Sequence, residues 1–147
     1  GRRVRFRGTA DRIDRLEDGT LRVVDYKTGG VHLEFGGLDD LFLSKNRGVN
    51  GNIFQTLLYS LMLWHRRGTD ARPALYYVRR INRPDYSPDL IDRSGAMKDV
   101  RYSACGRDFE EALREKLRTL FDPDTPFRPC EEPELCLYCD FKSICRR

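Results

Sequence analysis

The sequence has no apolar run of the roughly 20 residues needed to cross a bilayer, and no signal-peptide pattern at its start. It also has no internal repeat and no low-complexity segment, which excludes repeat architectures and compositional linkers. Histidine is scarce, with only two in the chain. The Cys-rich end lacks a second Cys-x-x-Cys or paired histidines, the more usual marks of a structural zinc site. Nothing calls for a second domain: a chain of 147 residues forms one domain that buries roughly two-thirds of its unfolded surface. The five cysteines are clustered rather than spread as a disulfide framework, with Cys105 apart from the other four, so the expected compartment is a reducing cytoplasm with no membrane partner.

Charged residues make up 34% of the chain and the hydrophobic set 39%, with a net charge of +4. That charge is uneven. Arg2, Arg3, Arg5, Arg7, Arg12 and Arg15 load the N-terminal stretch, and Arg79, Arg80 and Arg83 follow a later apolar run. Arginine outnumbers lysine, which suits phosphate contacts because a guanidinium grips oxyanions in a bidentate way. The plainer reading is a solvated strand face.

Val4, Phe6, Gly8 and Ala10 alternate with Arg3, Arg5, Arg7 and Thr9, a pattern that predicts a strand. Leu16-Glu17-Asp18-Gly19-Thr20 supplies turn chemistry centred on Asp18-Gly19, and Leu21 to Asp25 resumes a strand. The resulting hairpin brings Asp11 near the level of Asp25 and Tyr26, while the period of two puts Asp25 and Lys27 on one face. Two carboxylates that meet a shared cation suit Mg²⁺ (or Mn²⁺), a hard ion content with few carboxylates, waters and phosphate oxygens. Lys27, one alternation beyond a ligand, is placed to offset charge developing on phosphorus oxygens. Asp-x-Lys alone reads as a solvated face. Val23-Val24, however, places Asp25 in a half-buried run, where an unpaired carboxylate needs a cation or hydrogen bonds.

Asn52 to Trp64 is apolar at nearly every position and predicts a largely buried helix. Gln55 and Tyr59, spaced i and i+4, share one face of it. Gly29 to Gly51 reads as a mobile loop close to the metal site, and Ala74 to Val78 as a central strand. Arg79 to Gly106, with Pro84 and Pro88, reads as a loop or edge hairpin. Asp108 is the expected N-cap of a helix bearing Phe109, Ala112, Leu113, Leu117, Leu120 and Phe121 at helical spacing.

Cys130, Cys136, Cys139 and Cys145 crowd the C-terminal end, while Cys105 stands apart. Cys136-x-x-Cys139-x-x-x-x-x-Cys145 sets three thiolates on one turn-rich segment, as needed for the iron corners of a cubane cluster or for zinc.

Gly8-x-x-Asp11, followed by apolar residues leading into Asp25-Tyr26-Lys27-Thr28-Gly29, resembles the PD-(D/E)XK nuclease superfamily, specifically its RecB-like branch. Gln55-x-x-x-Tyr59 resembles a pattern of that branch. So does the tail, with Pro126-Phe127-Arg128-Pro129 before the cysteines and Tyr138 and Phe141-Lys142-Ser143-Ile144 among them, as in the iron–sulfur nucleases of the AddB and CRISPR-adaptation type. The resemblance implies an α/β fold: a restriction-endonuclease-like core with a small mixed β-sheet flanked by helices, and a Cys-rich C-terminal tail. Residues 1–127 would be the nuclease core and 128–147 the cluster-binding tail of the same domain.

By position, Asp11 and Asp25 match the metal-binding carboxylates, the Tyr26 carbonyl an additional ligand, and Lys27 the catalytic lysine. Gln55 and Tyr59 would line the site. The implied activity is Mg²⁺-dependent hydrolysis of DNA, single-stranded or at duplex ends, by an exonuclease domain of a larger repair and recombination protein with a helicase domain or subunit. Cys136, Cys139 and Cys145 would hold a 4Fe-4S cluster, or alternatively Zn²⁺. Cys130 is either the fourth ligand or incidental. The family places a metal-binding histidine on an upstream helix, and neither His32 nor His65 matches it; the expectation is that this helix, its histidine and a fourth cysteine lie outside the chain. Two other readings share these residues: a catalytically silent module that keeps the fold, and a zinc-stabilised nucleic-acid-binding protein.

Overall fold

A computed structural model describes residues 3–43, 47–130, 133–137 and 139–146. Arg2 and Tyr138 lie outside these. The chain is a mixed α/β domain. Strands β1 (Arg12–Arg15) and β2 (Leu21–Lys27) form an antiparallel hairpin, and β2 pairs in parallel with β4 (Ala71–Tyr77), giving the order β1-β2-β4. A separate two-stranded ladder joins β3 (Glu34–Phe35) to β5 (Ile91–Asp92). Helix α1 (Arg47–Arg67) crosses from the first sheet region to β4, and α2 (Tyr102–Phe121) packs beside it.

The hairpin forms where the turn chemistry places it. Leu16 N–H donates to Thr20 O at 2.8 Å and Gly19 N–H to Leu16 O at 3.0 Å. Gly19 takes φ 83°, a left-handed conformation that costs glycine little. The predicted strand over residues 4–10, by contrast, does not form: β1 begins at Arg12. The Asp11 carboxylate accepts the Tyr26 N–H at 2.8 Å, taking the donor that the next rung of the ladder would have used. The apolar alternation serves another purpose, because Val4 and Phe6 line the groove between α1 and α2 beside Leu61, Met62 and Leu117.

Four further expectations are corrected by the fold. The expected loop 29–51 contains β3, a 3₁₀ turn at Asp39–Phe42, and the start of α1. The strand expected over 74–78 begins at Ala71 and lies at the sheet edge, with β2 central. It looks central in sequence because its face toward α1 is buried and its outer edge is covered. Ala74, Leu75 and Tyr77 are buried, the Asp89 bridge lies against Ala74, and the Tyr86 hydroxyl donates to Leu75 O and accepts from Tyr77 N. Residues 79–106 form no hairpin, since β5 pairs with β3 and α2 has begun by Tyr102. Asp108 lies exposed within α2 instead of capping it. The cap comes from Asp70, whose carboxylate accepts both Ser103 N–H at 2.8 Å and Ser103 Oγ–H at 2.7 Å.

The core takes Leu75 and Tyr77 from β4, Ile53, Leu57 and Leu61 from α1, and Phe109 from α2. Phe109 meets Phe42 and Phe54 at ring-centre distances of 5.7 and 5.4 Å. Thr56 and Ser60 are buried in the same helix face and satisfy their hydroxyls on the carbonyls of Ile53 and Thr56. Cys105 belongs to this core too. Burial, together with nearby Asp108, Asp70 and Asp92, pushes its thiol up to about 12, so it packs as a neutral group.

The position of the cap is testable. Asp70→Ala leaves the first turn of α2 without its acceptor and is expected to cost about 0.5–2 kcal/mol. Asp108→Ala should stay within about 0.5 kcal/mol of the parent. Denaturant unfolding of both variants checks this; the reverse order would place the helix start at Asp108.

Candidate active site

The hairpin register pairs Arg12 with Val24, so Asp11 and Asp25 stand opposite each other one step beyond the ladder. Asp25 is 4% exposed, sealed by the apolar run of Val23 and Val24 and by Leu75, its partner on β4. Asp11 is exposed and is held by the Tyr26 N–H. Strand alternation puts Asp25 and Lys27 on the face that meets α1. Lys27 Nζ lies 2.5 Å from Asp25 Oδ2. The contact is a buried ion pair: the ammonium supplies the charge this oxygen needs, although its direction is poor for a hydrogen bond.

Lys27 Nζ also donates to Gln55 Oε1 at 3.4 Å, and Gln55 Nε2 donates to the Tyr59 hydroxyl at 2.8 Å. An ammonium can only donate, so it turns the amide oxygen toward itself and leaves the amide nitrogen for Tyr59. The i, i+4 pair thus becomes a relay that steadies the lysine from α1. These contacts link Asp25, Lys27, Gln55 and Tyr59, while Asp11 is held on the Tyr26 N–H across the hairpin.

Gly8 holds a role that motif reading had left without a physical reason. A Cβ at this position would overlap Cε1 of Tyr59 and approach its Cζ and Oη at 3.3 Å. The backbone therefore passes directly over the ring. An isolated glycine inside a strand-like pattern is the signal for such a close approach.

The donor set fits a hard divalent ion. Asp11 and Asp25 lie opposite each other across the hairpin, and the Tyr26 backbone, next after Asp25, is bound to Asp11 through its N–H. Among the described residues no group of three or more His, Cys, Asp or Glu side chains is gathered as a metal-holding cluster. In the tail, a 3₁₀ turn at Pro133–Cys136 leads into further turns, with Cys139 N–H on Cys136 O at 3.2 Å and Lys142 N–H on Cys139 O at 3.2 Å. Cys130, Cys136, Cys139 and Cys145 are half-buried, while Leu137, Phe141 and Ile144 are exposed. His32 and His65 are elsewhere: the His32 carbonyl accepts the Tyr77 hydroxyl, and His65 Nε2 lies 2.9 Å from Glu110.

The sequence model of the PD-(D/E)XK nuclease superfamily matches residues 1–146. No curated protein and no solved structure matches the chain.

The Gly8 contact gives a measurable coupling. Gly8→Ala should destabilise by about 1–3 kcal/mol through overpacking against the ring. In a Tyr59→Ser background the added methyl has room and most of that loss should vanish. A double-mutant cycle by denaturant unfolding reads this, and simple additivity would separate Gly8 from Tyr59.

Proposed function

The chain belongs to the PD-(D/E)XK nuclease superfamily, and from that premise we propose a RecB-like exonuclease domain that hydrolyses DNA with Mg²⁺ (or Mn²⁺). Membership itself implies a metal-dependent phosphodiesterase with a nucleic-acid substrate. The branch, the exonuclease mode, the repair and recombination setting, an associated helicase and a cytoplasmic location are our reading. No helix among the described residues is long and apolar enough to cross a membrane.

The observation that carries the proposal is the buried Asp25 carboxylate, 2.5 Å from Lys27 and opposite a second carboxylate, Asp11, across the hairpin. Two carboxylates against one ammonium leave a negative charge that a cation would offset. Asp11, Asp25 and the Tyr26 carbonyl would hold the metal, which when bound supplies Lewis-acid polarisation of a phosphoryl oxygen. Lys27 sets its ammonium where negative charge develops on the phosphate as the bond to the leaving oxygen breaks. Gln55 and Tyr59 keep that ammonium from swinging into solvent, so little reorganisation is left for the moment of reaction. The Tyr26 N–H does the same for Asp11.

For the tail, residues 128–147, we propose a thiolate-bound 4Fe-4S cluster on Cys136, Cys139 and Cys145, with Cys130 or a residue outside the chain as fourth ligand. Half-buried thiols in a turn-rich segment, beside the exposed apolar side chains of Leu137, Phe141 and Ile144, support it. Such a segment lacks a core of its own and gains folding energy from the metal.

Asp11→Asn and Asp25→Asn should each abolish tight Mg²⁺ binding in calorimetry. Lys27→Ala should cut DNA cleavage by roughly 10² or more, with DNA affinity little changed. Normal cleavage by the lysine variant would remove Lys27 from the mechanism and favour a silent binding module.

The tail reading has its own test. Purified protein should be brown and contain iron, and Cys139→Ser should lose the iron and open the region after Phe127 to protease while the hairpin stays protected. A colourless protein that carries zinc instead would replace the cluster with a zinc site.

A further inference from the structure

The sheet has a second face, opposite the carboxylates, and it is not a neutral one. By the period of two, Arg12 and Asp14 of β1, Arg22 and Tyr26 of β2, and Arg72 and Tyr76 of β4 point away from α1. Tyr26 and Tyr76 are direct partners in the parallel ladder, with ring centres 5.8 Å apart and planes tilted by 57°. Guanidiniums bracket the pair. Arg12 Nη1 donates to the Tyr26 hydroxyl at 3.3 Å, and Arg22 lies with its Cζ 5.6 Å from the Tyr76 ring centre.

Cross-strand packing accounts for the contact between the two rings. It does not account for what is left over. Tyr26 remains 39% exposed although it is large and central in the sheet. Two of the three arginines share one carboxylate, since Asp14 receives Arg12 at 2.6 Å and Arg22 at 3.1 Å. One carboxylate cannot neutralise two guanidiniums, so the rim of the aromatic pair keeps positive charge. An open aromatic face with cationic borders is the chemistry that binds an unpaired nucleotide: the ring stacks on the base and the guanidiniums meet the phosphates. A duplex keeps its bases inside the stack and offers a π-face only at its two ends.

We propose that Tyr26 and Tyr76, bordered by Arg12 and Arg22, form a stacking site for single-stranded DNA on the sheet face opposite the carboxylate pair. The site rests on the nuclease reading for its choice of ligand. Tyr26 links the two faces: its side chain belongs to the platform and its N–H fixes Asp11. A strand that stacks there approaches the metal-binding carboxylates around the end of β2, as unpaired chain.

Tyr76 is the residue to vary, because it takes no part in the carboxylate site. The full chain, without divalent ions, is titrated with a fluorescent oligo-dT and with a blunt duplex of equal length, read by anisotropy. Tyr76→Leu keeps an apolar side chain but removes the π-face, and should weaken oligo-dT binding on the order of tenfold. Duplex binding should change little. Tyr76→Phe should bind oligo-dT within about twofold of the parent, and Asp14→Asn should tighten it by releasing both guanidiniums. If Tyr76→Leu binds oligo-dT like the parent, or loses duplex and oligo-dT affinity equally, the stacking site is wrong. Mg²⁺-dependent cleavage by the parent, measured separately, distinguishes the two failures: a parent that cleaves while Tyr76→Leu binds normally loses only the stacking site. A parent that neither binds nor cleaves DNA loses both readings.

Discussion

A carboxylate buried inside a sheet must find positive charge at close range, and the position of Asp25 imposes that demand on everything around it. Lys27 supplies it, 2.5 Å from the Asp25 oxygen. Removing an ion from water costs several kcal/mol even after relaxation. Asp11, opposite Asp25 across the hairpin, adds a second negative charge near the one lysine.

The scaffold serves this constraint at each level. β2 is the central strand, so it is braced by β1 on one side and β4 on the other and presents Asp25 and Lys27 rigidly. α1 is held to β4 by the cluster of Ile53, Leu57, Leu61, Leu75 and Tyr77. That packing aims Gln55 at the lysine. Gly8 lets the chain before Asp11 cross Tyr59 closely enough to finish the enclosure. The polar relay from Tyr59 through Gln55 to Lys27 is thus fixed at both ends, one by the helix and the other by the strand. Preorganisation of this kind lets a charge act on a transition state without first having to move.

The two faces of β2 divide the work. One, toward α1, is acidic and enclosed. The other is aromatic and basic, and open. A single strand can carry both because alternate side chains never share an environment. Tyr26 joins the two through its backbone, which belongs to one face electrostatically while its ring belongs to the other.

The local patterns were legible from the residues. The Asp18-Gly19 turn set the hairpin and therefore the level of Asp11 against Asp25. Period two placed Asp25 with Lys27, and spacing i, i+4 placed Gln55 with Tyr59. Each of these depends on contacts within a few residues or on one tight turn. What was not legible depends on distant partners. Asp70 caps α2 across 33 residues, so no local signal marked Tyr102 as the start and Asp108 read as the better cap. β3 and β5 are two residues each and carry no period to read. Val4 and Phe6 alternate as a strand would, yet the strand has no neighbour there, and the same apolar residues turn instead to the groove between the helices. Lys27 reaches Gln55 across 28 residues. Alternation along the chain determined which side chains share a face; only the tertiary structure decided what that face meets, because burial and hydrogen bonding are settled by partners that the chain reaches after folding.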